Sequence, residues 1–206
     1  MEKKTLNYAK TLQDAFVIGP KNAPSILAAL ILWLITIWIP YINIGTTIAI
    51  TMLPIELSKG GIINPLGIFA SKYRRYMGEF FITMGLMLLP LLFGLLLGII
   101  PAIVMSLSWS LTYYYLLDRH KSPVAAIMAS NDATYGSKWT MFFVSVTIGI
   151  LFYIVTVLIS QILLFDGDST SLLIFIVLQL IVLALYVSIV MAVNASFWRQ
   201  LKDNVE

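Results

Sequence analysis

The sequence predicts an all-α integral membrane protein. It comprises six transmembrane helices arranged as three hairpins, each preceded by a cytoplasmic amphipathic interfacial helix, in a single membrane domain over 1–206. Three observations carry this prediction. Hydrophobic residues make up 60% of the 206 and charged residues only 11%, against about 45–50% and about 25% in soluble domains. The apolar residues are gathered into long uncharged runs, and mean hydropathy is +0.93. All 13 lysines and arginines fall in four segments that alternate with those runs.

Taken in order, residues 5–18 (TLNYAKTLQDAFVI) put Leu12, Ala15, Phe16 and Tyr8 on one side, with Lys10 and Asp14 off that stripe. This reads as a short interfacial helix broken by Gly19 and Pro20. Lys3, Lys4, Lys10 and Lys21 before an apolar run imitate a signal peptide, but the run begins past residue 22 and no small-x-small cleavage site follows. It is better read as the first span. The stretch from Ala23 to Leu57 holds no charge except Glu56. Turn residues Pro40, Asn43 and Gly45 divide it into spans at about 24–40 and 44–58. Residues 59–78 form the first polar break. Within it Asn64 and Pro65 open a second interfacial helix at about 64–76.

From Glu79 to Leu117 no further charge appears. One helix of that length would be about 58 Å long at about 1.5 Å per residue, nearly twice a hydrocarbon core of about 30 Å. Pro101 is the expected break, giving spans at about 79–99 and 102–117, with Pro90 kinking the first. The second break contains 122–139, SPVAAIMASNDATYGSKW. Here Ser122 caps a third interfacial helix (122–135), Pro123 takes its first position, and Gly136 ends it. Val124, Ile127, Met128 and Tyr135 share one face. Spans at about 139–165 and 170–198 follow, joined by the turn Asp166, Gly167, Asp168, and residues 199–202 form a tail.

Six spans place both termini and both breaks on one side. The charge asymmetry makes that side cytoplasmic. The three interfacial segments can be superposed on TLQDAF, NPLGIF and SPVAAI, which begin at positions 11, 64 and 122. Either an internal triplication or the common demands of a helix before a hairpin accounts for this.

No chemistry-bearing constellation emerges. With no cysteine and one histidine, His120, thiolate metal sites and His clusters are excluded. No GxSxG motif is present, and the two aspartates of the 166–168 turn are too sparse to hold a metal. No catalytic residue, metal or cofactor is expected, and the short juxtamembrane basic patches argue against nucleic-acid binding. Intramembrane charge, the usual mark of a transport path, is nearly absent. Gly94, Gly98, Ala102, Ser106 and Ser110 recur every four residues, the spacing of close helix packing in lipid. Lys59, Lys72, Arg74, Arg75, Arg119, Lys121 and Lys138 are expected to converge on a cytoplasmic rim, with Arg199 and Lys202 nearby and Tyr73, Tyr76 and Trp139 as interface anchors. Such a rim attracts anionic lipid at about 1 kcal/mol per basic residue; the plainer reading is that these charges only set topology.

The run from Leu95 to Phe143 carries a further signal. Ile99, Ile100 and Pro101 precede a span ending in Leu116, Leu117 and Asp118. A helix with Pro123, Ala126 and Ser130 follows, and then Gly136, Lys138 and Trp139 lead into the next span. This pattern, with the closing SFWRQL, resembles a bacterial family of six-helix integral membrane proteins. That family is related to the membrane domain fused to some glycerophosphoryl diester phosphodiesterases. The resemblance covers about 90–140 well and the rest by hydropathy, and Ala102 stands where the family usually has glycine. It implies an inner-membrane protein with cytoplasmic termini and no assigned catalytic residues; a phosphodiesterase domain is not among these residues, so that activity is not implied. The expected function is non-enzymatic, acting through lipid, a protein partner or a second copy at the basic cytoplasmic face. The alternative is a small transporter or channel for an apolar or amphipathic solute, with a cavity lined by Asn43, Gln161, Gln179 or Asn194.

Overall fold

The computed structural model describes residues 4–163 and 169–205, so the expected 166–168 turn lies outside the described residues. Among these the chain is helical, without a strand. The helices are α1 (Tyr8–Thr36), α2 (Ile42–Ser58), α3 (Met77–Leu97), α4 (Ile99–Ser108), α5 (Thr112–Leu117), α6 (Pro123–Thr134), α7 (Lys138–Leu163) and α8 (Ser169–Leu201). Five segments are long and apolar enough to cross a membrane: Tyr8–Thr36, Ser71–Leu97, Ile99–Leu117, Lys138–Gln161 and Thr170–Asn204. These are the lengths and compositions of a multi-pass membrane protein. The expected span at 44–58 corresponds to α2, which has 17 residues and is shorter than the other five.

The first correction concerns Gly19 and Pro20, which do not end a helix. Helix α1 runs unbroken through both, and through Pro24 as well. It begins where Asn7 accepts the Lys10 N–H at 2.9 Å, a side-chain cap. Proline removes one backbone donor, and in an apolar setting a neighbouring helix can hold the chain in place across the gap. Here the neighbour is α8, against which α1 makes the most extensive contact in the molecule. A Cβ on Gly19 would lie 2.9 Å from both Cα and Cγ1 of Ile189. The absent side chain is therefore what brings the two backbones together.

The second correction concerns 64–76, which is not one α-helix. It is two 3-10 turns, Pro65–Phe69 and Ser71–Tyr76, separated by Ala70 in an extended conformation. Asn64 does cap the first, accepting from the Leu66 N–H at 3.1 Å. The break lets Ile68 bury itself while Tyr73 packs against both core clusters.

Pro101 does not divide α3 from α4. The turn is made by Gly98, whose φ of 132° and ψ of 166° suit glycine alone. Pro101 is the third residue of α4, where its missing N–H has no helical partner to lose. A second interruption, absent from the sequence reading, separates α4 from α5 at residues 109–111. Ser130 of α6 bridges it: its hydroxyl donates to the Ser108 carbonyl at 2.7 Å and accepts the Leu111 N–H at 3.1 Å. Thr134 also reaches the Ser108 carbonyl, at 3.4 Å.

In α6 itself Pro123 occupies the first position and Gly136, at φ 80°, follows its end. Ser122 sits at the cap position without a side-chain cap bond. The face turned into the protein is small and hydroxylated: Ala126, Ala129, Ser130, Ala133 and Thr134. Val124, Met128 and Tyr135 point outward. The last correction is the tail, since Arg199, Gln200 and Leu201 continue α8 and a 3-10 turn, Lys202–Asn204, follows. Trp198 and Leu201 are fully buried there, with the Trp198 ring 5.0 Å from that of Tyr115 and 5.7 Å from that of Tyr114.

The core therefore gathers at one end, where the start of α1, α5, α6 and the end of α8 meet α2. The N- and C-terminal segments are tied together there, through Lys4 N–H to Asn204 Oδ1 at 2.9 Å and Asn7 N–H to Gln200 Oε1 at 3.0 Å.

Candidate anionic-lipid site

The seven basic residues singled out from the sequence sit in different settings. Arg119 forms an ion pair with Asp203 at 3.1 Å. Arg74 is half-buried; its stem lies where a Cβ on Gly45 would be, and its guanidinium stands 5.9 Å from the Tyr41 ring centre. Arg75 is exposed. Lys138 donates to Asn131 Oδ1 at 3.0 Å. The backbone N–H of Lys121 bonds the Tyr115 carbonyl at 3.2 Å. Arg199 pairs with Asp14, which also accepts from Ser196 at 2.7 Å, so that cation belongs to the α1–α8 contact.

Lys59 and Lys72 are the two that come together. They line both of two adjoining cavities, of about 450 Å³ and about 240 Å³, which also share Glu56 and Tyr73. Lys59 arrives at the end of α2, where Gly60, at φ 82°, turns the chain outward. Lys72 is carried in by the second 3-10 turn. Its ammonium sits 4.9 Å from the Tyr73 ring centre, a cation–π distance. The Lys59–Glu56 ion pair is 3.1 Å long and exposed on both sides. A pair of that kind is worth only about 0.3–0.5 kcal/mol, too little to withhold Lys59 from a stronger anion.

The two cavities differ in character. The larger is walled by Ala49, Leu53, Ile62, Ile63 and Ile68 and is largely aliphatic. The smaller adds Tyr76, Leu117, Asp118 and His120. The Tyr76 hydroxyl and His120 Nδ1 are 2.8 Å apart, with the rings stacked at 5.7 Å. His120 has φ 52°, the left-handed region, which a non-glycine residue adopts when its surroundings hold it there. An aliphatic wall beside two ammonium groups is chemically able to receive an anionic amphiphile, with the anion at the cations and the chain on the wall.

From the sequence Tyr73 and Tyr76 are interface anchors and His120 has no role; the structure puts all three on one cavity with Glu56 and Asp118. No local signal could have revealed it, because Tyr76 and His120 are 44 positions apart. Among the described residues no group of three or more metal-ligating side chains occurs.

The small-residue series is also redistributed. Gly94 is buried, and a Cβ there would meet Met105 Sδ at 2.9 Å, while Ala102 is buried beside it. Gly98 is instead the turn described above. Ser106 and Ser110 bond the carbonyls of Ala102 and Leu107 at 2.7 and 2.9 Å and make no stripe across the 109–111 break. Of the polar residues expected along a transport cavity, Asn43 donates to the Ile37 carbonyl, Asn194 to Val190 and Gln179 to Thr156, and Gln161 is exposed. Comparisons with protein-family models, curated proteins and solved structures found no match.

Proposed function

We propose that this chain is a non-enzymatic membrane protein that binds anionic phospholipid at its basic cytoplasmic face, with Lys59 and Lys72 as the headgroup ligands. The observation that carries this reading is the presence of both ammonium groups on the two adjoining cavities, one of which has an aliphatic wall. In this reading the protein lies in the bacterial inner membrane and spans it six times as three hairpins. The sixth span is α2, about 25 Å long at about 1.5 Å per residue. Both termini are cytoplasmic, as the placement of basic residues favours. The contacts tying Lys4 and Asn7 to Asn204 and Gln200 support a common side for the two ends. The outward Val124, Met128 and Tyr135 support an interfacial role for α6.

The test is lipid retention by the full chain in nanodiscs of phosphatidylglycerol and phosphatidylcholine, read by native mass spectrometry. At about 1 kcal/mol per basic residue, Lys59→Gln with Lys72→Gln should lower the preference for phosphatidylglycerol by about 30-fold, since about 1.4 kcal/mol is tenfold. Arg75→Gln, whose side chain lines neither cavity, should change it much less. An unchanged preference in the double variant would overturn the reading.

A further inference from the structure

A second concavity, sharing no lining residue with the two that hold Lys59 and Lys72, lies between α4 and the junction of α6 with α7. Its volume is about 410 Å³, within the range of small-molecule sites. Ile100, Ile103, Val104 and Leu107, at helical spacings of 0, 3, 4 and 7, form one wall. Trp139 and Phe142 form another. Gly136, at φ 80° with nothing within 4 Å of a Cβ position, leaves the space between them open. Among the described residues the charged group lining it is Lys138, whose Nζ donates to Asn131 Oδ1 at 3.0 Å. Ile100 and Trp139 are 76% and 74% exposed, so the protein itself leaves this apolar space unfilled. In a bilayer such a space forfeits dispersion contacts unless something fits into it. A filled groove ending at an ammonium group calls for an elongated apolar chain with an anion at one end.

We infer that this groove is a built-in phospholipid site, holding one acyl chain against Ile103 and Leu107 with the lipid phosphate at Lys138. A second protein copy fits less well, because a stable interface engages about 20–30 residues a side and nine line this groove. The inference rests on the same reading of this chain as a binder of anionic phospholipid, but it concerns a different site and is tested separately from Lys59 and Lys72.

The test uses the full chain in nanodiscs containing phosphatidylglycerol with a photoactivatable diazirine in mid-chain, with labelled peptides mapped by mass spectrometry. Label should concentrate on α4 and on 139–142 several-fold above the outward face of α3 at Leu89 and Leu92. Ile103→Trp, which fills the groove, should abolish that excess, whereas Leu92→Trp should not, and Lys59→Gln with Lys72→Gln should leave it intact. Lys138→Gln should lower the labelling of α4 by the phosphatidylglycerol probe several-fold. Uniform label over α3 and α4 in the unaltered chain overturns the site, independently of how any variant folds. Unchanged labelling of α4 in Lys138→Gln overturns the assignment of the phosphate to that residue.

Discussion

The two halves of α8 are continuous helix, and both are rich in apolar residues, yet they face opposite environments. In residues 170–183 Leu172, Leu173, Ile176, Leu180 and Leu183 all point outward. In residues 188–201 Ser188, Ala192, Ala195, Ser196, Phe197, Trp198 and Leu201 are buried. Hydrophobicity does not separate them; side-chain size and hydrogen-bonding capacity do. The inner half has alanines and serines that admit close backbone approach, a large aromatic to fill what remains, and polar groups with partners across the interface. Gln200 donates to Thr11 at 3.0 Å, and Ser196 donates to Asp14. In lipid the apolar effect does not sort inside from outside, so packing does. The buried stripe of α1, Thr11, Ala15, Gly19, Asn22, Ile26 and Ala29, and the inward face of α6 follow the same rule.

This contrast can be broken by substitution, scored as unfolding free energy in detergent. Trp198→Ala, at a residue 1% exposed, should cost about 3–5 kcal/mol, the usual price of an aromatic cavity. Gly19→Ala should cost about 1–3 kcal/mol, because its methyl meets the backbone of Ile189, which cannot swing aside. Ser130→Ala should cost a similar amount, about 1–3 kcal/mol, by leaving the Leu111 N–H and Ser108 carbonyl without their bridge. Ser130→Thr, which keeps a hydroxyl, should recover part of that loss. Leu180→Ala, at 61% exposure, should change stability by less than about 0.5 kcal/mol. A cost for Leu180→Ala near that of Trp198→Ala would show that the outer half is covered by a further protein surface.

Much of the helical layout was legible because uncharged runs leave few alternatives to helix. The positions of the breaks were less so. Gly19–Pro20 and Pro101 look alike as turn signals, but the first is carried through as continuous helix against α8 and the second is absorbed in the opening turn of α4. The nearby Gly98 makes that turn because only glycine takes its φ and ψ. The 109–111 interruption carries no proline or glycine at all; its polar groups are met by Ser130, from a different helix. Lys59 and Lys72 were visible as basic juxtamembrane residues, two among several. Their pairing in one site, with His120 held by Tyr76 beside them, depends on how the 3-10 turns fold back along α2.

Sequence alone determined the membrane class, the helical content, the clustering of basic residues and the absence of cysteine chemistry, since each follows from composition and from charge along the chain. Tertiary structure decided which prolines interrupt helices, which faces turn inward, which lysines meet, and where an apolar groove stays open. These depend on close approach between residues far apart in the chain, such as Gly19 with Ile189 and Ser130 with Ser108. No local pattern encodes such distances.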